Sequence, residues 1–112
     1  KILQILLQVN VDSDENKGGV EEGKIDELVR YVLSEPNLNL RGLMTILSEG
    51  TDPQKGYSKL RDLFNHLQET YAQEFHNWDT LSMGMSNDLE VAVNCGATIV
   101  RVGTDIFGSR TN

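Results

Sequence analysis

Residues 80–110, TLSMGMSNDLEVAVNCGATIVRVGTDIFGSR, decide the fold of this chain. They read as an apolar strand over Thr80–Met85, a helix from about Asn87, and a second strand over Thr98–Thr104. Asn87-x-x-Glu90 matches a capping box, and Gly96 falls where a helix end takes a left-handed residue. Leu89, Ala92 and Val93 are expected to face inward. A helix between two such strands implies that they run parallel, since an antiparallel pair needs only a tight turn. Both strands end in small or hydroxyl-bearing residues, Ser82 to Ser86 on one and Gly103-Thr104 on the other. In parallel α/β folds these ends gather backbone N–H groups around a bound anion, so a phosphate cradle is the functional reading. Ordinary tight turns use the same residue types, and composition alone does not separate the two.

Outward from that stretch, strand and helix keep alternating. Ile2–Val11 is nearly continuous in apolar residues and then alternates, as a strand buried in a parallel sheet does. Asp12–Gly23, with Gly18-Gly19 and Gly23, reads as a polar loop. Ile25, Leu28, Val29, Val32 and Leu33 then mark one face of a helix closed by Pro36, with Lys24, Glu27, Arg30 and Ser34 solvated. Leu38–Ile46 is a second strand, and Gly42 in its middle marks a close approach of another backbone. Leu47–Gly56 reads as a loop, and Tyr57, Leu60, Leu63, Phe64, Leu67 and Tyr71 as a helix lasting to about Phe75. Four strand–helix alternations predict a parallel α/β domain. Their spacing fits a closed barrel and an open doubly wound sheet equally.

Charge and composition exclude several functions. The net charge is −7, from 17 acidic and 10 basic residues, without a basic cluster, which makes nucleic acid and anionic membrane surfaces poor partners. No apolar run approaches the roughly 20 residues of a membrane span, and no signal-peptide pattern follows Lys1–Leu7. A single cysteine, Cys95, allows no internal disulfide and suits a reducing, cytoplasmic location; it reads as a small buried hydrophobe. His66 and His76 lack partners at ligand spacing, so no metal is expected. The acidic run Asp12–Glu15 lacks the spacing of a calcium loop and reads as solvated.

SMGMSNDLE followed by VRVGTDIFGSR resembles the C-terminal signature of the pyridoxal phosphate homeostasis proteins. The resemblance is dense over Leu81–Arg110 and extends to Gln8-Val9-Asn10, Glu15-Asn16-Lys17-Gly18-Gly19 and Leu40-Arg41-Gly42-Leu43-Met44. It implies a (β/α)8 TIM barrel with the fold of the alanine racemase N-terminal domain. A full barrel of that kind needs about 200 residues or more. The 112 residues are therefore expected to be its C-terminal half, residues 1–112 supplying about four β/α units of one pyridoxal-phosphate-binding domain. The family's Schiff-base lysine is then expected on the missing N-terminal half. A start at Lys1-Ile2-Leu3, inside a strand pattern, agrees with a fragment, although a processing boundary gives the same start. Half a barrel leaves open sheet edges and an uncovered face, so self-association is expected of it alone.

The resemblance also assigns a site. Ser86 is either a helix cap or, as the family's matching serine implies, a ligand of the cofactor phosphate. Ser82, Met83 and Met85 line the same strand end, the methionines as apolar packing. Gly103 admits an anion to the main chain, and Thr104 adds a hydroxyl and an N–H. Two such adjacent ends match the phosphate site that follows the last two strands of many barrels. Arg101 interrupts an apolar strand and shares a face with Gly103. It is either one half of an inward salt bridge or, by the resemblance, a hydrogen-bond donor to the pyridine nitrogen of pyridoxal 5'-phosphate. An arginine there stays protonated and leaves the ring a weak electron sink. Asn10 is a pocket-lining polar group if Gln8 points inward, and Arg41 is expected to pair within the barrel core. Lys17 is either an exposed loop lysine or an amine that meets the aldehyde.

The function implied is cofactor binding in intracellular vitamin B6 homeostasis, a carrier without known turnover rather than an enzyme. The alternative is a fragment of an alanine-racemase-like, cofactor-dependent amino-acid racemase. Such racemases continue into a β domain that supplies a second catalytic residue, and no candidate base follows Arg101 before Asn112. A third reading is a phosphate-ligand barrel unrelated to vitamin B6.

Overall fold

The computed structural model describes residues 1–12 and 18–102. Lys17, Gly103, Thr104 and the closing FGSR lie outside the described residues. The elements are β1 (Leu3–Gln8), α1 (Ile25–Leu33), β2 (Leu38–Met44), α2 (Pro53–Thr70), β3 (Thr80–Ser82) and α3 (Leu89–Asn94). Short 3-10 turns at Glu22–Lys24 and Ser86–Asp88 lead into α1 and α3.

The strands pair in parallel in the order β1-β2-β3, the order of the chain itself. The expected fourth strand is a short segment beside β3, joined by one parallel bridge between Ser82 and Ile99. Met83 N–H donates to Ile99 O at 3.0 Å, and Arg101 N–H donates to Gly84 O at 3.0 Å. Leu7, Val9, Leu40, Leu43, Leu81 and Met83 are buried in one core with Ile25, Val29, Tyr57, Leu60, Leu67 and Ala92 of the helices. Each fully buried aliphatic side chain of this set contributes about 1.5–3 kcal/mol. Gln4, Leu6, Arg41, Thr80 and Ile99 instead line a groove on the sheet. A doubly wound sheet reverses its strand order and is covered on both faces. Among the described strands the order never reverses and the helices share one core, which makes a partial parallel α/β sheet wound one way.

Gly42 shows why the wall curves where it does. The β1–β2 register shifts between Ile5, opposite Leu40, and Leu6, opposite Gly42, so Arg41 is left as a bulge. A Cβ on Gly42 would stand 1.7 Å from Thr80 O, so β2 and β3 approach as closely as a glycine alone permits. The expected close approach is borne out.

Several boundaries differ from expectation. α2 begins at Pro53, inside the stretch read as a loop, because Asp52 Oδ1 accepts the Gln54 N–H at 3.1 Å and proline needs no donor in a first turn. It ends at Thr70, short of Phe75, because the chain then turns to stack Phe75 on Trp78 at 4.1 Å. Trp78 also stacks on Phe64 at 4.9 Å, and its Nε1 donates to Phe64 O at 3.0 Å. Val93, expected to face inward, is exposed; α3 starts later than read, and its phase turns Ala92 and Cys95 to the core. Gly96 ends α3 as expected, with φ +105° and a 3.0 Å bond from Ala97 N–H to Ala92 O. The Asp12–Gly23 stretch is less open than read, since Val20 pairs in parallel with Val9. No helix among the described residues is long and apolar enough to cross a membrane.

Candidate functional site

A cleft of about 760 Å³ lies at the C-terminal rim of the sheet. Its walls are the loop after β2 (Ile46–Thr51), Tyr57 of α2, the turn Met85–Asp88, and Arg101 with Val102.

The turn is shaped by Gly84 and closed by Asp88. Gly84 has φ +111°, and a Cβ there would stand 2.5 Å from that of Ala92, so only glycine brings the end of β3 over α3. Asp88 Oδ1 then accepts the Met85 N–H at 2.7 Å, while Asp88 N–H donates to Met85 O at 3.0 Å. The cap is therefore Asp88 on Met85, a correction to the Asn87–Glu90 pair read from the pattern. Asp88 Oδ2 accepts the Tyr57 hydroxyl at 2.9 Å. Burial, and then the Asp88 carboxylate, push the Tyr57 phenol well above its usual range, with Arg101 pulling weakly the other way.

Arg101 is half-buried, and its Nη2 donates to Thr45 O at 3.2 Å. Thr45 is itself buried, its hydroxyl donating to Val9 O at 2.6 Å and its N–H to Ser82 O at 3.1 Å. One polar chain thus ties the ends of all four strand segments. Of the two readings of Arg101, the inward salt bridge is not formed among the described residues, whose ion pairs are Arg41–Asp79, Lys59–Glu22 and Arg61–Asp62.

The opposite wall is stitched by Asp12. Its Oδ2 accepts the Ser48 N–H at 2.7 Å and the Thr51 hydroxyl at 3.1 Å. Burial opposes the charge, but those donors outweigh it and hold the carboxyl below its ordinary value. Asp12 is thus a structural tie, a correction to its reading as part of a solvated acidic run.

Among the residues singled out from the sequence, Met85, Ser86 and Arg101 meet at the cleft. Ser82 is buried one step down β3, paired with Met44 and Ile99, and Met83 is fully buried in the core. Neither lines the cleft, because strand alternation sends Met83 to the helix side. Asn10 follows the C-terminal end of β1 on the same rim, its N–H on Val20 O at 2.9 Å, but it does not line the cleft. Gly103 and Thr104 lie outside the described residues; Val102, just before them, lines the cleft. Arg41 pairs with Asp79, its Nε and Nη2 at 3.0 and 2.7 Å, at the other end of the sheet, but the pair is exposed rather than enclosed in a core as expected. His66 and His76 are exposed, and Cys95 is buried. Sequence reasoning missed Tyr57, Asp88 and Thr45. An acid three residues after Met85 was the available signal for Asp88; Tyr57 looked like any apolar helix position.

The alanine racemase N-terminal domain model matches residues 1–111. A pyridoxal phosphate homeostasis protein of Aquifex aeolicus is 46% identical over 112 residues, covering 97% of this chain and 48% of the relative. That of Vibrio alginolyticus is 43% identical over 110 residues, covering 98% of this chain and 47% of the relative. The structure of PipY from Synechococcus elongatus with PLP bound superposes with a TM-score of 0.80 at 31% identity, over 94% of this chain and 49% of that one. The chain spans about half the length of the curated relatives it matches. The expected placement in the C-terminal half is corrected accordingly. The matches run from the first residues of this chain and establish a share of the relatives' length, not that end of the barrel. A match over nearly every residue, together with the singly wound parallel wall, places the chain in the alanine racemase N-terminal domain family.

Proposed function

We propose that this chain supplies one wall of a pyridoxal 5'-phosphate site in a vitamin B6 homeostasis protein that binds the cofactor without turnover. The observation that carries this reading is the convergence of Ser86 and Arg101 on one rim cleft. Its size suits a small ligand, since such sites run about 300–1,000 Å³. The residues fit the group. The Met85–Asp88 turn and the segment entering Gly103-Thr104 would hold the phosphate, and Arg101 would face the ring nitrogen. The names of the relatives and the PLP-bound PipY support the same ligand.

Bound there, the cofactor would supply an aldehyde that captures amines and a ring that withdraws electrons. Arg101 limits the second property. A guanidinium donates but does not protonate the ring, which suits a carrier, or a racemase that needs little carbanion stabilisation, better than transamination. The lysine that bonds the aldehyde is proposed to lie outside these residues, as the resemblance implies; Lys59 of α2 is already engaged by Val11 O at 3.0 Å and by Glu22. The acidic composition disfavours nucleic acid, and a cytoplasmic location belongs to the same proposal.

Titrating the complete barrel that carries this chain with pyridoxal 5'-phosphate should give a saturable visible absorbance band that Arg101→Gln shifts and weakens. No band, or a band indifferent to both Arg101→Gln and Ser86→Ala, would sink the reading. The family match also admits an amino-acid racemase. Proton exchange at the α-carbon of alanine by the same preparation would favour that second reading.

A further inference from the structure

Two carboxylates line the cleft, Glu49 exposed on the loop after β2 and Asp88 beside Ser86, and the cofactor reading leaves the second unexplained. Asp88 lies in the wall of a cleft meant for a phosphate, where an unshielded negative charge repels the ligand. Its surroundings resolve this. Both carboxylate oxygens are engaged, Oδ1 by the Met85 N–H at 2.7 Å and Oδ2 by the Tyr57 hydroxyl at 2.9 Å. Hydrogen bonds to a charged acceptor are short and strong, and two of them offset part of the charge.

Tyr57 is well placed to hold the turn. It is 1% exposed, near the N-terminal end of α2, beside Gly56, where a Cβ would stand 2.6 Å from Leu47. That end of α2 is therefore packed against the loop after β2. The turn it reaches has little stiffness of its own, since β3 spans only Thr80–Ser82 and Gly84 follows at positive φ. The tie crosses 31 positions of sequence and joins α2 to the one turn that carries Ser86.

We propose that Tyr57 and Asp88 are positioning residues for the phosphate end of the cofactor. Tyr57 anchors Asp88, and Asp88 fixes the Met85–Ser86 segment and withdraws the Met85 N–H from the cleft. This inference rests on the pyridoxal 5'-phosphate reading and adds the residues that set its phosphate specificity.

The test compares pyridoxal 5'-phosphate with pyridoxal, which lacks the phosphate, on the complete barrel. Tyr57→Phe should weaken pyridoxal 5'-phosphate about tenfold and change pyridoxal less than about twofold, the loss of one charge-assisted hydrogen bond at the phosphate end. Asp88→Asn should also weaken pyridoxal 5'-phosphate, although it removes a negative charge; tighter binding would overturn the positioning role in favour of plain repulsion. Equal weakening of both ligands would mean a merely structural pair and overturn the inference, as would no change in either. If Tyr57→Phe does not fold, Asp88→Asn decides alone. Failure of the parent protein to bind the cofactor would remove the cofactor reading and this inference with it. Binding by the parent with an indifferent Tyr57→Phe would remove the inference alone.

Discussion

Two arginines interrupt this sheet, and they are treated in opposite ways. Arg41, on the bulge of β2, meets Asp79 through a two-pronged contact at 3.0 and 2.7 Å and reaches Gln4 Oε1 at 3.3 Å. Arg101, at the rim, spends one nitrogen on the Thr45 carbonyl at 3.2 Å and faces a cleft. A guanidinium carries five donors in a fixed fork, and a paired carboxylate satisfies it from its best side. Arg41 is thus a finished contact of the barrel floor, while Arg101, among the described residues, donates from its side chain to Thr45 O. Each arginine also has a glycine near it whose missing Cβ sets the local backbone: Gly42 beside Arg41, and Gly84 under the turn beside Arg101.

The largest effect expected is at the floor. Gly42→Ala puts a methyl 1.7 Å from Thr80 O, a backbone atom that cannot move without unpairing β3. It should cost more than about 3 kcal/mol, read as loss of the cooperative unfolding transition of the barrel. Gly84→Ala meets a side-chain methyl at 2.5 Å and a positive φ. It should cost about 1–3 kcal/mol in chemical denaturation while lowering cofactor affinity, because the turn is displaced. If the two variants are equally stable, the difference between floor and rim is wrong.

The arginines themselves should then separate. Arg101→Gln is expected to weaken the cofactor about tenfold or more, with little change in the denaturation midpoint. Arg41→Gln should do the reverse, lowering the midpoint slightly and leaving affinity unchanged. A cofactor titration and a urea melt on each variant are enough, and crossed results would erase the distinction.

The smallest effects are in pH dependence. Asp79 is held below its ordinary value of 3.8, first by its hydrogen bonds to Arg41 and Thr80. A depressed folded value means the pair's contribution is present above that pH and fades as pH falls toward the folded value. Acid melts of the parent and of Arg41→Gln should therefore converge as the pH drops. The rim behaves in the opposite sense. Tyr57 keeps its proton in the fold where a free phenol loses it, so stability should decline as pH rises past the ordinary value of 10.0. Tyr57→Phe should flatten that alkaline limb.

Much of the fold was legible because its signals are local. The face of α1 and the glycine that ends α3 follow from residues a few positions apart, and a lone glycine mid-strand signalled the close approach at Gly42 without saying that Thr80 makes it. The start of α2 was legible too, in Asp52-Pro53, but the apolar period pointed four residues later and won the reading. The site was half legible. Ser86 and Arg101 were singled out by residue type and line the candidate cleft, whereas Met83 was singled out by a family pattern and lies in the core.

By itself the sequence determined the alternation of strands and helices, the acidic surface and the kinship with a family of cofactor-binding barrels, because periodicity, charge and motif are properties of neighbouring residues. Tertiary structure alone decided that the sheet winds one way, that Arg41 is satisfied by Asp79 while Arg101 faces a cleft, and that Tyr57 holds Asp88. Those outcomes depend on groups more than 30 positions apart meeting in space, and no local pattern encodes which distant donor reaches which acceptor.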